Sequence, residues 1–264
     1  MASQVIGNVR MADGSVAQLK DQVSEAEWKV RVELAALYRL SALMGWDDAI
    51  FTHISARAPG PENHFLINPY GWFFEEITAS SLVRVDLEGN IVQDTPDFIN
   101  PAGFTIHSAV HAARDDAHVV LHLHSDHGVA VSAHTEGLLP ISQHAMLVRP
   151  HVAYHDYEGV ALNLDERERI VADLGDKSLM ILRHHGILSL GANAGQAWNG
   201  IYFLERACRQ QVLALAAGRA YVTLAPKDAQ EVVRQQSMAM AWAADLAWPG
   251  WLRRVQRQSP GFDV

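Results

Sequence analysis

Two short apolar runs place the strongest constraint on how this chain folds. His118-Val-Val-Leu-His-Leu-His124 and Ser178-Leu-Met-Ile-Leu-Arg183 are rich in β-branched and aliphatic residues and read as buried strands. Capped helical patterns lie around them. Ser24 with Glu27 fits a capping box, Val30, Leu34, Leu37, Ser41 and Met44 share one face, and Gly45 suits the stop. Residues 104–116 form a further helical pattern with Ile106, Val110 and Ala113 on one side. Asn163 with Glu166 opens a short helix ending near Gly175, and Asn193 with Gln196 opens a long one reaching about Gly218. A last helix is expected over about 226–242.

Alternating residues Ile50, Thr52, Ile54 and Ala56 predict a strand, as do 65–68 and 82–93, the latter with a hairpin turn at Glu88-Gly89-Asn90. Residues 140–157 read as further strand and loop, and 1–23 as an arm. The 264 residues are enough for one α/β core, so 24–264 is expected to be a single domain with a C-terminal helical tail. The tail, from Trp248 onward, is aromatic and basic and is expected to pack against the body or a neighbouring subunit.

A net charge of −9 excludes the basic footprint of a nucleic-acid binder. No apolar run approaches the roughly 20 residues that span a bilayer, and the N-terminus does not resemble a secretory signal. Cys208 is the single cysteine, so an internal disulfide and a multi-cysteine zinc site are excluded, and a cytoplasmic setting is expected.

Histidine carries the chemistry. Ten of the 14 histidines lie between His107 and His155. His122 and His124 sit two apart in a strand, hence on one face, with Cα atoms about 6.5–7 Å apart. Two imidazoles so placed can converge on one ion, whereas a lone His-x-His is as readily a pair of satisfied strand histidines. The Arg183-His-His-Gly186 corner after the second buried strand can turn a third histidine toward the first. Three histidines with open positions make a catalytic rather than a structural metal site. His107 and His111 are an i, i+4 pair without the glutamate of a zinc protease, which favours surface or supporting roles. His127 and His134 read as loop residues. His144, after the Pro140 turn, is a candidate acid–base group.

Taken in order, His53-Ile-Ser-Ala-Arg57, Ile67-Asn-Pro-Tyr-Gly71, Val85-Asp86 before Gly89, His122-Leu-His124, Ala130-Val-Ser132 and Leu182-Arg-His-His-Gly-Ile-Leu188 resemble the class II aldolase/adducin family over about residues 25–220. The resemblance implies a three-layer fold, a central and mainly antiparallel sheet covered by helices. It implies a divalent metal on His122, His124 and His185, zinc first, with manganese, cobalt or iron as alternatives. It also implies a homo-oligomer, a tetramer as in many members. The family spans sugar-phosphate aldolases, an epimerase, decarboxylases and the non-enzymatic adducin head.

Several positions depart from the sugar-phosphate aldolases. The glutamate that serves there as base or ligand is matched by Gly103. The phosphate-binding Gly-Asn is matched by Thr52-His53, and the Ser-Ser pair falls near Pro101-Ala102. A proton-transferring tyrosine falls at His144. The expected function is therefore a metal-dependent lyase, decarboxylating or retro-aldol in type. Its expected substrate is a small non-phosphorylated hydroxy, oxo or aromatic carboxylic acid, with His144 and then His53 moving the proton. An adducin-like module without catalysis and an iron-dependent oxygenase on the same histidines are the alternatives.

Overall fold

The computed structural model describes residues 15–60, 62–161, 163–238 and 242–264. Its strands are β1 (His53–Arg57), β2 (Phe65–Ile67), β3 (Val83–Val85), β4 (Val119–Leu123), β5 (Val152–His155), β6 (Leu179–Leu182) and β7 (Gly186–Gly191). Its helices are α1 (Ser15–Gln22), α2 (Glu25–Leu43), α3 (Pro101–Ala113), α4 (Asp126–Ser132), α5 (Gln143–Val148), α6 (Glu166–Leu174), α7 (Ala194–Leu215), α8 (Lys227–Met238) and α9 (Trp242–Gln258). The strands form one sheet in the order β3-β2-β1-β4-β7-β6-β5. Only β5 and β6 run parallel; the other pairs are antiparallel.

The period-2 alternation of β4 divides the chain into layers. Leu121 and Leu123 point into a core shared with α2, α5 and α7, around Leu37, Ala145 and Trp198. Val120 points to the opposite face, where Ile106 and Val110 of α3 and Ile170 and Leu174 of α6 cover it. His122 shares the parity of Val120 and so faces the α3 and α6 side. Sheet register carries that face across: Ser55 pairs with Val120, and His53 with His122.

Two of the three cap signals act where expected. Ser24 accepts from the Glu27 amide, Asn193 from that of Gln196, and Gly45 takes a φ of +66° just beyond α2. Four sequence expectations change. Residues 1–14 lie outside the described part, and 15–22 of the expected arm are helical. Within 82–93 only Val83–Val85 is strand; Asp86 gathers the amides of Glu88 and Asn90 into a tight turn, closed by a Val85–Ile91 bridge. Residues 143–148 are helix α5 rather than strand, because Ser142 caps the Ala145 amide and buries Ala145 and Val148 on one side. Asn163 accepts from the Asp165 amide instead of capping α6, whose N-cap residue is Asp165. The aromatic tail is helical, as expected, within α9, with Pro249 inside it and Trp248 and Val255 buried. No described helix is long and apolar enough to cross a membrane.

Candidate functional site

His122 is the penultimate residue of β4, and His124 lies one residue past its end. His185 arrives from the corner between β6 and β7. That corner is a turn closed by the His185 amide on the Leu182 carbonyl, with His184 in the left-handed region at φ +56°. The sharp bend therefore sits at His184, and Gly186 serves another purpose. A Cβ on Gly186 would meet the Leu123 carbonyl oxygen at 2.6 Å and the His124 ring at 3.0 Å. Its missing side chain lets β7 lie close under the two strand histidines.

The three imidazoles converge through Nε2. His122 Nε2 is 3.1 Å from that of His124 and 3.3 Å from that of His185. Nitrogens bound to one tetrahedral ion at about 2.0–2.1 Å lie about 3.3–3.4 Å apart, so the spacing fits such an ion. The far nitrogens support the same conclusion. His122 Nδ1 donates to the Ile187 carbonyl (3.2 Å), and His124 Nδ1 donates to Asp48 Oδ2 (2.9 Å). Both facing Nε2 atoms then carry lone pairs, which repel at this distance unless a cation lies between them. Burial holds His122 well below the usual imidazole range, helped by the neighbouring His185 and His124, and lowers His185 to about 4. Neutral imidazoles are the ligating form.

Beside the triad opens a cavity of about 500 Å³. Phe51, Ile106, Tyr157 and Val160 give it apolar wall, and Asp48, Tyr70 and Asn100 add polar groups. Its described lining contains no lysine or arginine. His53 also lines it, buried, with its ring 5.1 Å from that of His122. Burial and then the nearby His124 and His185 push His53 down to about 3.

Behind His53 lies a buried polar row that includes His107 and His111, the pair whose sequence spacing favours surface or supporting roles. His53 Nδ1 is 2.8 Å from His107 Nε2, His107 Nδ1 is 2.5 Å from Ser55 Oγ, and Ser55 Oγ is 2.7 Å from His111 Nε2. His111 Nδ1 ends the row 3.0 Å from the Ala117 carbonyl. The match is metrical: two residues of strand rise about 6.6 Å and four of helix about 6 Å, so His53 and Ser55 on β1 oppose His107 and His111 on α3. The signal available in the sequence was two buried polar residues at strand spacing, which names no partner until the strand and helix are paired.

The other histidines singled out in the sequence are elsewhere. His144 sits on α5 with its ring stacked on Phe203 and its Nδ1 accepting from Gln210 at 2.8 Å. Within its own chain it is not among the residues found around this cavity. His127 lies on α4 and donates to buried Glu205, while His134 accepts from Gln211.

A family model for the class II aldolase and adducin N-terminal domain matches residues 32–212. A provisionally named aldolase class 2 protein of Caulobacter vibrioides is 69% identical over 255 residues, 96% of this chain and 99% of the relative. Alpha-adducin of Rattus norvegicus is 46% identical over 196 residues, 73% of this chain, which there spans 26% of the relative. The solved structure of L-fuculose 1-phosphate aldolase from Glaciozyma antarctica PI12 superposes with a TM-score of 0.76 at 27% identity, over 88% of this chain and 92% of that one.

Proposed function

The chain belongs to the class II aldolase and adducin family, and on that premise we propose that it is a metal-dependent carbon–carbon lyase acting on a small, non-phosphorylated carboxylic acid. The observation that carries this proposal is the convergence of three Nε2 atoms beside a cavity whose described lining has no lysine or arginine. Sugar-phosphate chemistry calls for donors to a dianionic phosphate; this cavity instead offers aromatic and aliphatic wall.

His122, His124 and His185 would hold the ion, zinc first. When bound, such an ion supplies Lewis-acid polarisation of substrate oxygen and stabilises the charge left on carbon. Asp48 and the Ile187 carbonyl keep two of the imidazoles aimed. Phe51, Ile106 and Tyr157 flank the carbon skeleton and limit water at the reacting atoms. His53 is the acid–base candidate at the wall, and it takes the place given first to His144 by sequence.

We also assign a homo-oligomer, with four chains as the expected number. Phe51, Tyr157 and Val160 are 52%, 53% and 70% exposed at the cavity rim in the single chain, more apolar surface than a solvent-facing mouth needs. Light scattering at micromolar concentration should give the mass of four chains.

The test begins with metal analysis of the purified protein, followed by a screen of hydroxy, oxo and aromatic acids for released aldehyde or carbon dioxide. One divalent ion per chain with turnover of such an acid is expected. The 46% identity to alpha-adducin favours one second reading, a non-catalytic module. Substoichiometric metal and no turnover across the screen would establish that reading instead.

A further inference from the structure

The row behind His53 fixes more than a position. Its direction follows from the far end, because a carbonyl oxygen only accepts. His111 Nδ1 must therefore donate to Ala117, which leaves His111 Nε2 a lone pair. Ser55 has one proton and gives it to that lone pair, so Ser55 Oγ accepts from His107 Nδ1. His107 Nε2 is then a lone pair and accepts from His53 Nδ1. Each assignment forces the next, provided every ring is neutral. All three rings are buried with no carboxylate hydrogen-bonded to them, which favours the neutral form.

The last atom of the series is His53 Nε2. It makes no hydrogen bond among the described residues, and His53 lines the cavity. We propose that Ser55, His107 and His111 are positioning residues that lock His53 as an acceptor-only imidazole, and that His53 thereby selects substrates presenting a hydroxyl, rather than a bare carbonyl, at that wall. The substrate class is thus a hydroxy acid, which narrows the function proposed above and rests on it.

The physical basis is the asymmetry of an unmade hydrogen bond. A hydroxyl donates to Nε2, whereas an oxo oxygen brings a second lone pair against it in a buried site. Rotation of His53 to relieve the conflict is opposed by the whole row, since each partner would lose its own bond. Nor does the row export protons. It ends on a buried backbone carbonyl, so it holds a tautomer and does not conduct.

Neutron diffraction from a crystal of the full chain in deuterated buffer reads the tautomer directly. Deuterium on His53 Nδ1 and none on Nε2 is expected; deuterium on Nε2 overturns the proposal. That readout does not depend on metal or turnover, so it can succeed where the lyase assignment fails. Selectivity is read by calorimetry with mandelate and phenylglyoxylate, a hydroxy and an oxo acid of one aromatic skeleton. Wild type should bind mandelate about tenfold tighter, the equivalent of one net hydrogen bond. Ser55→Ala should lose that ratio while keeping its metal content. His53→Gln, which can place an acceptor oxygen near the Nε2 position, should retain part of it; His53→Asn should retain none. Equal binding of the two acids by wild type, or binding of neither, overturns the substrate class. An unchanged ratio in Ser55→Ala overturns the positioning role.

Discussion

A Cβ on Gly103 would lie 2.6 Å from Cδ2 of His53 and 2.8 Å from its Cγ. The glycine on α3 and the imidazole on β1 thus share one volume. The position that the family resemblance sets against a glutamate cannot carry a side chain here while His53 keeps its place. The two departures noted in the sequence, Gly103 and His53, are one structural exchange.

The exchange sets a first expected outcome. Gly103→Ala should destabilise the protein by about 1–3 kcal/mol, as overpacking of a filled site does. In a His53→Ala background the same change should cost much less. Urea denaturation of the four proteins of this cycle measures the coupling, expected at 1 kcal/mol or more for residues in contact. Additive effects would show that the two side chains do not compete for space.

The three-histidine site has its own dependence on backbone clearance. The atom nearest a Gly186 Cβ is the Leu123 carbonyl oxygen, which has no rotamer to give way. Gly186→Ala should therefore move β7 away from β4, lowering stability by about 1–3 kcal/mol and metal content together. Full stoichiometry by mass spectrometry of the metals in a stably folded variant would contradict this.

Asp48 acts from outside the triad. Its carboxylate is half exposed and holds His124 through Nδ1 at 2.9 Å. Asp48→Ala should keep the three ligands yet weaken metal affinity by about ten- to a hundredfold, the usual effect of losing such a partner. Chelator competition measures it; affinity equal to wild type would mean that His124 needs no orienting group.

Acid should act on the histidine row before it acts on the carboxylates. His53 and His111 titrate near 3 in the folded protein, against about 6.5 when unfolded. Between those values the unfolded chain binds protons that the fold refuses. Their stability contribution is thus intact above about pH 6.5 and is lost as pH falls through that window toward 3. The slope is about 1.4 kcal/mol per pH unit for each histidine. Urea midpoints of chelator-treated protein should drop clearly between pH 7.5 and 5.5. Equal midpoints would place both imidazoles in water.

What could be read from sequence divides by range. The three-histidine set was legible because its members sit at strand ends, where spacing two in β4 and a His-His-Gly corner announce direction. Helices α2 and α7 were legible because Ser24 and Asn193 signal locally. Helix α5 was missed: Gln143–Val148 is only six residues long, too short to show a period of its own. The row through Ser55 was missed for another reason. Its four members are pairwise regular, but β1 and α3 meet across about 50 residues of chain, and neither spacing names the other. His144 lies outside the cavity of its own chain, since nearness in sequence to His122 and His124 gives no direction to a side chain on a capped helix.

His122 and His185 are 63 residues apart, the first on β4 and the second at the corner leading into β7, its neighbour in the sheet. The first two ligands emerge together during synthesis, but the third cannot join them until β7 has paired with β4. The entropy of closing that loop must be met before the pairing gains any contact. A nascent chain therefore offers an incoming ion only a weak bidentate hold. An ion held by all three histidines would need β4 and β7 already paired, and would seal the fold rather than nucleate it.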